Sequence, residues 1–177
     1  MENKKHIQQL KAFLVTTFQI SEDLWRHQEP LLKVHAFKKN ELLLEAGKTC
    51  KDAWFLTEGY CRSFILKDGK DITTNFFQPG NYTCDYHSYL TNTPSTENIQ
   101  ALENTIGVSL TNTDLQHLYR NYPSYNRYGR LLGESLFITT HESKIQLLSK
   151  NPKARYNAIL EKKPWIIKKV PQHHIAS

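Results

Sequence analysis

From Leu31 to Leu110 the chain is a succession of short apolar runs broken by turn residues: LLKVHAF, ELLLEAG, AWFLTEGYCRSFIL, ITTNFFQPG, NIQALEN and TIGVSL. Within this stretch Gly47, Gly59, Gly69 and Gly80 recur every 10 to 12 residues, each beside a polar neighbour. Glycine reaches positive φ at little steric cost, so each marks a turn, and Lys67-Asp68-Gly69-Lys70 carries the Asp-Gly signature of a two-residue hairpin. Apolar runs of this length at this spacing predict an antiparallel β-roll or sandwich.

The flanks are helical. Ile7, Leu10, Leu14 and Phe18 recur at helical spacing over Lys4 to Phe18, and Ser21 followed by Glu22 and Asp23 caps a second, short helix through Trp25 to Glu29. After Leu110, Asn112-Thr113-Asp114 caps LQHLYRNY. No proline then interrupts Tyr125 to Ser149, which predicts a helix of about 25 residues and roughly 37 Å. Leu131, Ile138 and Ile145 repeat every seven residues, and Leu132 and Leu136 form an adjacent stripe. A helix apolar on two sides is buried on two sides. One side is assigned to the β-roll and the other to the same helix of a second copy, with Tyr128, Leu131, Leu132, Ser135, Ile138 and Ile145 at the dimer interface. Gly129 and Gly133 permit close approach.

Asn151-Pro152 ends that helix, KARYNAILEKK starts another, and WIIKKV leads to Pro171–Ser177, which reads as the start of a further helix. The expected organisation is a sensory domain over 1–122, a dimerisation helix over 123–150, and the beginning of a second domain over 151–177. Charge follows the same division. Residues 1–143 carry 15 basic and 16 acidic side chains, whereas 144–177 carry 8 and 1, so the net charge of +6 belongs to the last fifth. A basic segment beside a neutral body points to a polyanionic partner at that end.

Several chemistries find no support. Cys50, Cys61 and Cys84 are an odd number at spacings that suit neither a disulfide framework nor a zinc or iron–sulfur ligand set. His35 and His87 have no second histidine at ligand spacing, and His173 and His174 diverge by about 100° in a helix. Phosphate-loop and serine-elbow signatures are absent. Catalytic and metal-binding residues are therefore expected to be none. The opening residues lack a signal-type apolar core and no run reaches membrane-spanning length, so a cytoplasmic location without membrane contact is expected.

Taken in order, the helix pair, the glycine-punctuated roll, ELLLEAG, AWFLTEGYCRSFI, FFQPGN, the segment ALENTIGVSLTNTDLQHLYRNYP, the long helix and the basic KARYNAILEKKPWIIKKVPQHHIAS resemble the CRP/FNR superfamily of transcription regulators. The ending is most similar to the Bacteroidetes-type branch. The resemblance implies an α+β fold: a cyclic nucleotide-binding-like antiparallel β-roll with N-terminal helices, a long C-terminal dimerisation helix and the start of a winged helix-turn-helix. It also implies a chain that continues past Ser177, since Gln172 to Ser177 match only the first helix of that motif.

The implied function is a homodimeric, ligand-responsive regulator that binds DNA through its C-terminal part. Lys162, Lys163, Lys168, Lys169 and Gln172 would contact phosphate, with Lys150, Lys153 and Arg155 adding favourable potential. In such proteins a phosphate-binding cassette holds a cyclic nucleotide by a helix N-terminus, a carboxylate and an arginine. Here the corresponding stretch is GNYTCDYHSYLTNTPSTENIQAL, with Cys84 in place of glycine, Asp85 in place of glutamate, and Pro94-Ser95-Thr96 where proline and arginine are usual.

Replacing a bidentate arginine by a hydroxyl weakens anion binding by on the order of 2 kcal/mol or more, over tenfold. The expectation is a cassette kept as structure, no bound cofactor, and a small-molecule effector other than cyclic AMP. The candidate ligand residues are Gly80, Tyr82, Cys84, Asp85, Tyr86, Ser95 and Thr96, with Tyr89 and His87 lining or capping the pocket. Two alternatives remain open: a sensory or interaction module without DNA binding, and a cupin-like metalloenzyme.

Overall fold

The structure is a computed structural model that describes residues 2–149, 154, 157 and 160–170. Eight strands form two antiparallel four-stranded sheets. The first has the order β1 (Lys33–Phe37), β8 (Thr105–Thr111), β3 (Asp52–Glu58), β6 (Tyr82–Thr83). The second has the order β2 (Leu42–Leu44), β7 (Asn98–Ala101), β4 (Cys61–Lys67), β5 (Lys70–Phe77). Helix α1 is Glu2–Phe18, α2 Glu22–Gln28, α3 Tyr86–Thr91, α4 Asn112–Asn121 and α5 Asn126–Ser149; a last helical turn is Ile166–Lys169. The expected jelly-roll with helices at both ends is the fold observed; the expected helix start over Pro171–Ser177 and the boundary near residue 150 lie outside the described residues.

Strand β3 organises the molecule. Ala53, Trp54, Phe55, Leu56 and Thr57 are all buried, so both of its faces are covered. Side chains alternate along a strand, and the register places Phe55 opposite Val108 and Tyr82, but Trp54 opposite Ser109 and Thr83. Phe55 and Val108 join Leu10, Leu14 and Phe18 of α1 in one core. Trp54 and Leu56 join Leu44, Cys61 and Ile99 in the other, inside the roll. A buried polar link fastens α1: Thr57 Oγ1 donates to the Ile106 carbonyl at 3.1 Å and therefore accepts from His6 Nδ1 at 2.9 Å.

The turn chemistry follows the sequence. Gly47, Gly59, Gly69 and Gly80 all have φ between +75° and +89°. In the β4–β5 hairpin both Asp68 (φ 52°) and Gly69 (φ 75°) are left-handed, as a two-residue primed turn requires. Ser21 caps α2 by accepting from Leu24 N at 3.2 Å. Helix α4 differs from expectation. Its cap is Thr111, whose Oγ1 accepts from Asp114 N at 3.0 Å and donates to Asp114 Oδ2 at 2.6 Å, and Asn112 is already helical.

Helix α5 has 24 residues, about 36 Å. Its first half packs on the α1 core through Tyr128, Leu131 and Leu132. Farther along, Phe137, Ile138 and Ile145 are exposed, Phe137 by 73%. The two glycines have separate environments: a Cβ on Gly129 would overlap the Tyr119 ring, whereas Gly133 meets nothing. Residues 160–170 fold back on the roll. Ile166 and Val170 are buried with Phe76 and Leu102, and Trp165 lies 4.5 Å from the Tyr60 ring.

Gly59 tests the packing of the β3–β4 connection. It combines φ +80° with backbone and side chain of Thr105 where a Cβ would stand. Gly59→Ala is expected to cost about 2 kcal/mol or more in urea unfolding, because the strain and the overlap add.

Candidate functional site

The connection from β6 to β7 carries most of the candidate ligand residues. Asp85 caps the six-residue α3: Oδ1 accepts from Ser88 N at 3.1 Å. Oδ2 accepts from Ser95 Oγ at 2.6 Å, and Ser95 Oγ in turn accepts from Glu97 N at 3.0 Å. Asn92 ends the helix in the left-handed region, φ 57°. The buried Ser88 hydroxyl donates to the Thr93 carbonyl at 2.5 Å and accepts from Cys50 N at 2.8 Å. Backbone bonds between Ser95 and Lys48 and between Gly47 and Ser95 tie the far end to the β2–β3 connection. Both oxygens of the carboxylate are thus engaged within the loop. Among the described residues no ion pair reaches Asp85.

The candidate residues fall into groups. Cys84, Asp85 and Ser95 belong to this closed loop, Cys84 and Ser95 both buried, whereas Thr96 is exposed. Gly80 shapes the turn before β6 and donates its amide to the Leu56 carbonyl at 2.8 Å. Tyr82 lies on the opposite, helix-facing side, its ring 5.3 Å from Phe55 and 6.0 Å from Phe13. His87 is exposed. Tyr82, Tyr86 and Tyr89 all line a cavity of about 140 Å³ between sheet one and α1, α3, α4 and α5.

Burial keeps these groups neutral. It raises the hydroxyls of Tyr82, Tyr86 and Tyr89, and it pushes Cys61 up to about 12 and Cys84 well above the usual thiol range. Cys50 goes the other way, chiefly through its hydrogen bond with Cys84. Among the described residues no group of three or more His, Cys, Asp or Glu could hold a metal ion, and no helix is long and apolar enough to cross a membrane.

At the C-terminal end, three of the four candidate phosphate-contacting lysines that are described are engaged within the chain. Lys163 Nζ donates to Asn75 Oδ1 at 2.8 Å and to the Phe76 carbonyl at 2.6 Å. Lys169 pairs with Glu103 at 3.1 Å and sits 5.2 Å over the Tyr60 ring, and Lys162 pairs with Glu142 at 3.3 Å. Lys168 has no ion pair among the described residues, and Gln172, like Lys150, Lys153 and Arg155, lies outside them. This docking contact is not visible in the sequence, because Lys163 and its partners are 87 and 88 positions apart.

If Asp85 is a structural cap, Asp85→Ala costs about 1 to 2 kcal/mol in chemical denaturation, through the lost cap and the lost bond to Ser95, whose hydroxyl keeps the Glu97 carbonyl at 2.9 Å as an acceptor. A neutral or stabilising result would mark the carboxylate as held ready for a ligand.

Comparison with known proteins agrees with this architecture. Residues 34–122 match the cyclic nucleotide-binding domain family. A solved cyclic nucleotide-binding domain from Methylobacillus flagellatus is 16% identical, with a TM-score of 0.69 over 89% of this chain and 84% of that one. The sensor domain of the transcriptional regulator DNR from Pseudomonas aeruginosa is 12% identical, TM-score 0.61, over 86% and 97%. The catabolite activator protein of Thermus thermophilus is 19% identical, TM-score 0.60, over 77% of this chain and 63% of its own, so the chain spans less than two thirds of that protein. No curated protein sequence matches significantly. With half of its length in that match and the whole roll in the corresponding order, the chain belongs to the cyclic nucleotide-binding domain family.

Proposed function

We propose that this chain is the sensory and dimerising part of a cytoplasmic, non-catalytic transcription regulator of the CRP/FNR type, responding to a small molecule other than cyclic AMP. The observation that carries the reading is the division of α5. Its root is buried with Leu131 and Leu132 in the sensory core, while farther along it exposes Phe137 and Ile138. Large apolar side chains on a long helix are satisfied by a second copy of that helix, and a change felt at the root then moves the seam. Tyr128, assigned to the seam from sequence, donates to the Gln19 carbonyl at 3.2 Å and faces its own domain, so the seam is centred on Phe137, Ile138 and Ile145.

The closed loop around Asp85 supports an effector other than a nucleotide. An incoming phosphate would have to displace the Ser95 bond and would find a carboxylate there, with no guanidinium paired to it among the described residues. Cys84, Ser95 and Thr96 are accordingly assigned to the architecture of the loop, and Gly80 to that of the turn before β6.

DNA binding is assigned to the basic C-terminal part, where Lys162, Lys163, Lys168 and Lys169 supply phosphate contacts once the segment leaves the roll. A second reading, a sensory module that does not bind DNA, draws support from the internal engagement of Lys162, Lys163 and Lys169. The two part in a binding assay with random-sequence duplex at low salt: salt-dependent association supports the first, and its absence the second.

Three outcomes are expected. Sedimentation gives a dimer that Phe137→Asp or Ile138→Asp converts to monomer; a monomeric parent protein contradicts the seam. Calorimetry with cyclic AMP gives no binding tighter than about 100 μM. The Lys163 amine, lowered by burial from 10.5 to about 8, makes docking of residues 160–170 pH-dependent. The undocked state binds more protons between these values, so docking tightens as pH rises through about 8 to 10. Hydrogen exchange at the Ile166 and Val170 amides reads this directly, and Lys163→Met removes the dependence.

A further inference from the structure

The cavity on the helix side of β3 borders the Asp85 loop through Tyr86, Tyr89 and Leu90 of α3, but neither Asp85 nor Ser95 lines it. It measures about 140 Å³. Natural cores rarely leave such a void, and an engineered cavity of about 150 Å³ lined by apolar side chains stays dry and admits benzene. The walls here are of the same kind: Leu14 of α1, Leu32, Val108 of β8, Leu132 of α5 and the ring of Tyr119. Among the described residues no Lys, Arg, Asp or Glu lines it, so an ion inside would be desolvated without a counter-charge from them. Of the polar side chains in the lining, Gln28 and six tyrosines, two carry a buried atom without a hydrogen-bond partner. Gln28 is 2% exposed and its Oε1 has no hydrogen-bond partner. Tyr86 Oη, beside the Cys84 thiol, likewise makes no hydrogen bond of good geometry. A buried acceptor without a donor is costly and is usually met by a partner.

We propose that this cavity is a binding site for a neutral, largely apolar molecule of about the size of phenol that carries one hydrogen-bond donor, received by Gln28. Leu90, 61% exposed, and the exposed Gly133 mark its rim between α3 and α5. An occupant touches the root of α5 directly at Leu132 and, through Tyr119, at Gly129.

The test uses the whole chain with phenol and toluene as probes, followed by calorimetry and amide chemical-shift mapping. The wild-type protein binds phenol saturably at one site with a dissociation constant roughly between 0.1 and 1 mM, and the shifts centre on α1, β8 and the root of α5. Leu132→Trp, which fills the cavity, weakens both probes at least tenfold. Gln28→Leu weakens phenol about tenfold and leaves toluene within twofold. Leu136→Trp, at a half-buried position on the lining, provides a second block should Leu132→Trp unfold. Absence of saturable binding to the folded wild-type chain overturns the site, as does binding that neither tryptophan variant changes. A phenol-to-toluene ratio unchanged by Gln28→Leu overturns the donor assignment.

Discussion

Burial of β3 on both faces is the constraint from which the other features follow. A strand alternates its side chains, so covering both faces creates two compartments that share a wall but not their contents. Trp54 and Leu56 fill the roll interior, while Phe55 receives α1 and, with Val108 and Tyr82, the aromatic layer beneath α5. Helices α1, α2, α4 and α5 pack on the second face, the one the roll interior leaves open. A long helix rooted on that face exposes Phe137 and Ile138 beyond its buried root.

The β6–β7 loop sits at the edge of the first compartment and is closed by its own polar groups. One carboxylate caps α3 through Ser88 N and holds Ser95 through a 2.6 Å hydrogen bond. These bonds satisfy groups that burial would otherwise leave costly, so the loop keeps its shape without an anion. The second compartment has the opposite character, an apolar void with two unanswered polar atoms at its wall. Shape has been retained in the first place, and room for a small molecule lies in the second.

Much of the roll was legible in the sequence because turns are local. Positive φ at the four glycines and at Asp68 follows from the residues themselves, and the apolar runs between them give the strands. The proline-free run set α5 to within one residue. What the sequence hid depends on contacts between distant positions. Strand β6 is only two residues long, too short for alternation to show that Tyr82 turns to the helices and Cys84 to the roll interior. His6 meets Thr57 across 51 positions, and Lys163 meets Phe76 across 87. The heptad read on α5 placed Leu131 with Ile138, yet the structure separates a buried root from an exposed stretch, and Phe137 escaped the pattern because it lies one position off the repeat. Thr111 is the cap although Asn112-Thr113-Asp114 offers three capping residues in a row, because only geometry selects among neighbours.

The central claim is that the Asp85 loop is complete without an anion. Amide hydrogen exchange at Ser88, Ser95 and Glu97, whose N–H groups bond to Asp85, the Lys48 carbonyl and Ser95 Oγ, tests it most directly. All three are expected to be protected in the free protein, with rates that millimolar cyclic AMP leaves unchanged. Fast exchange in the free protein that slows when cyclic AMP is added would contradict it.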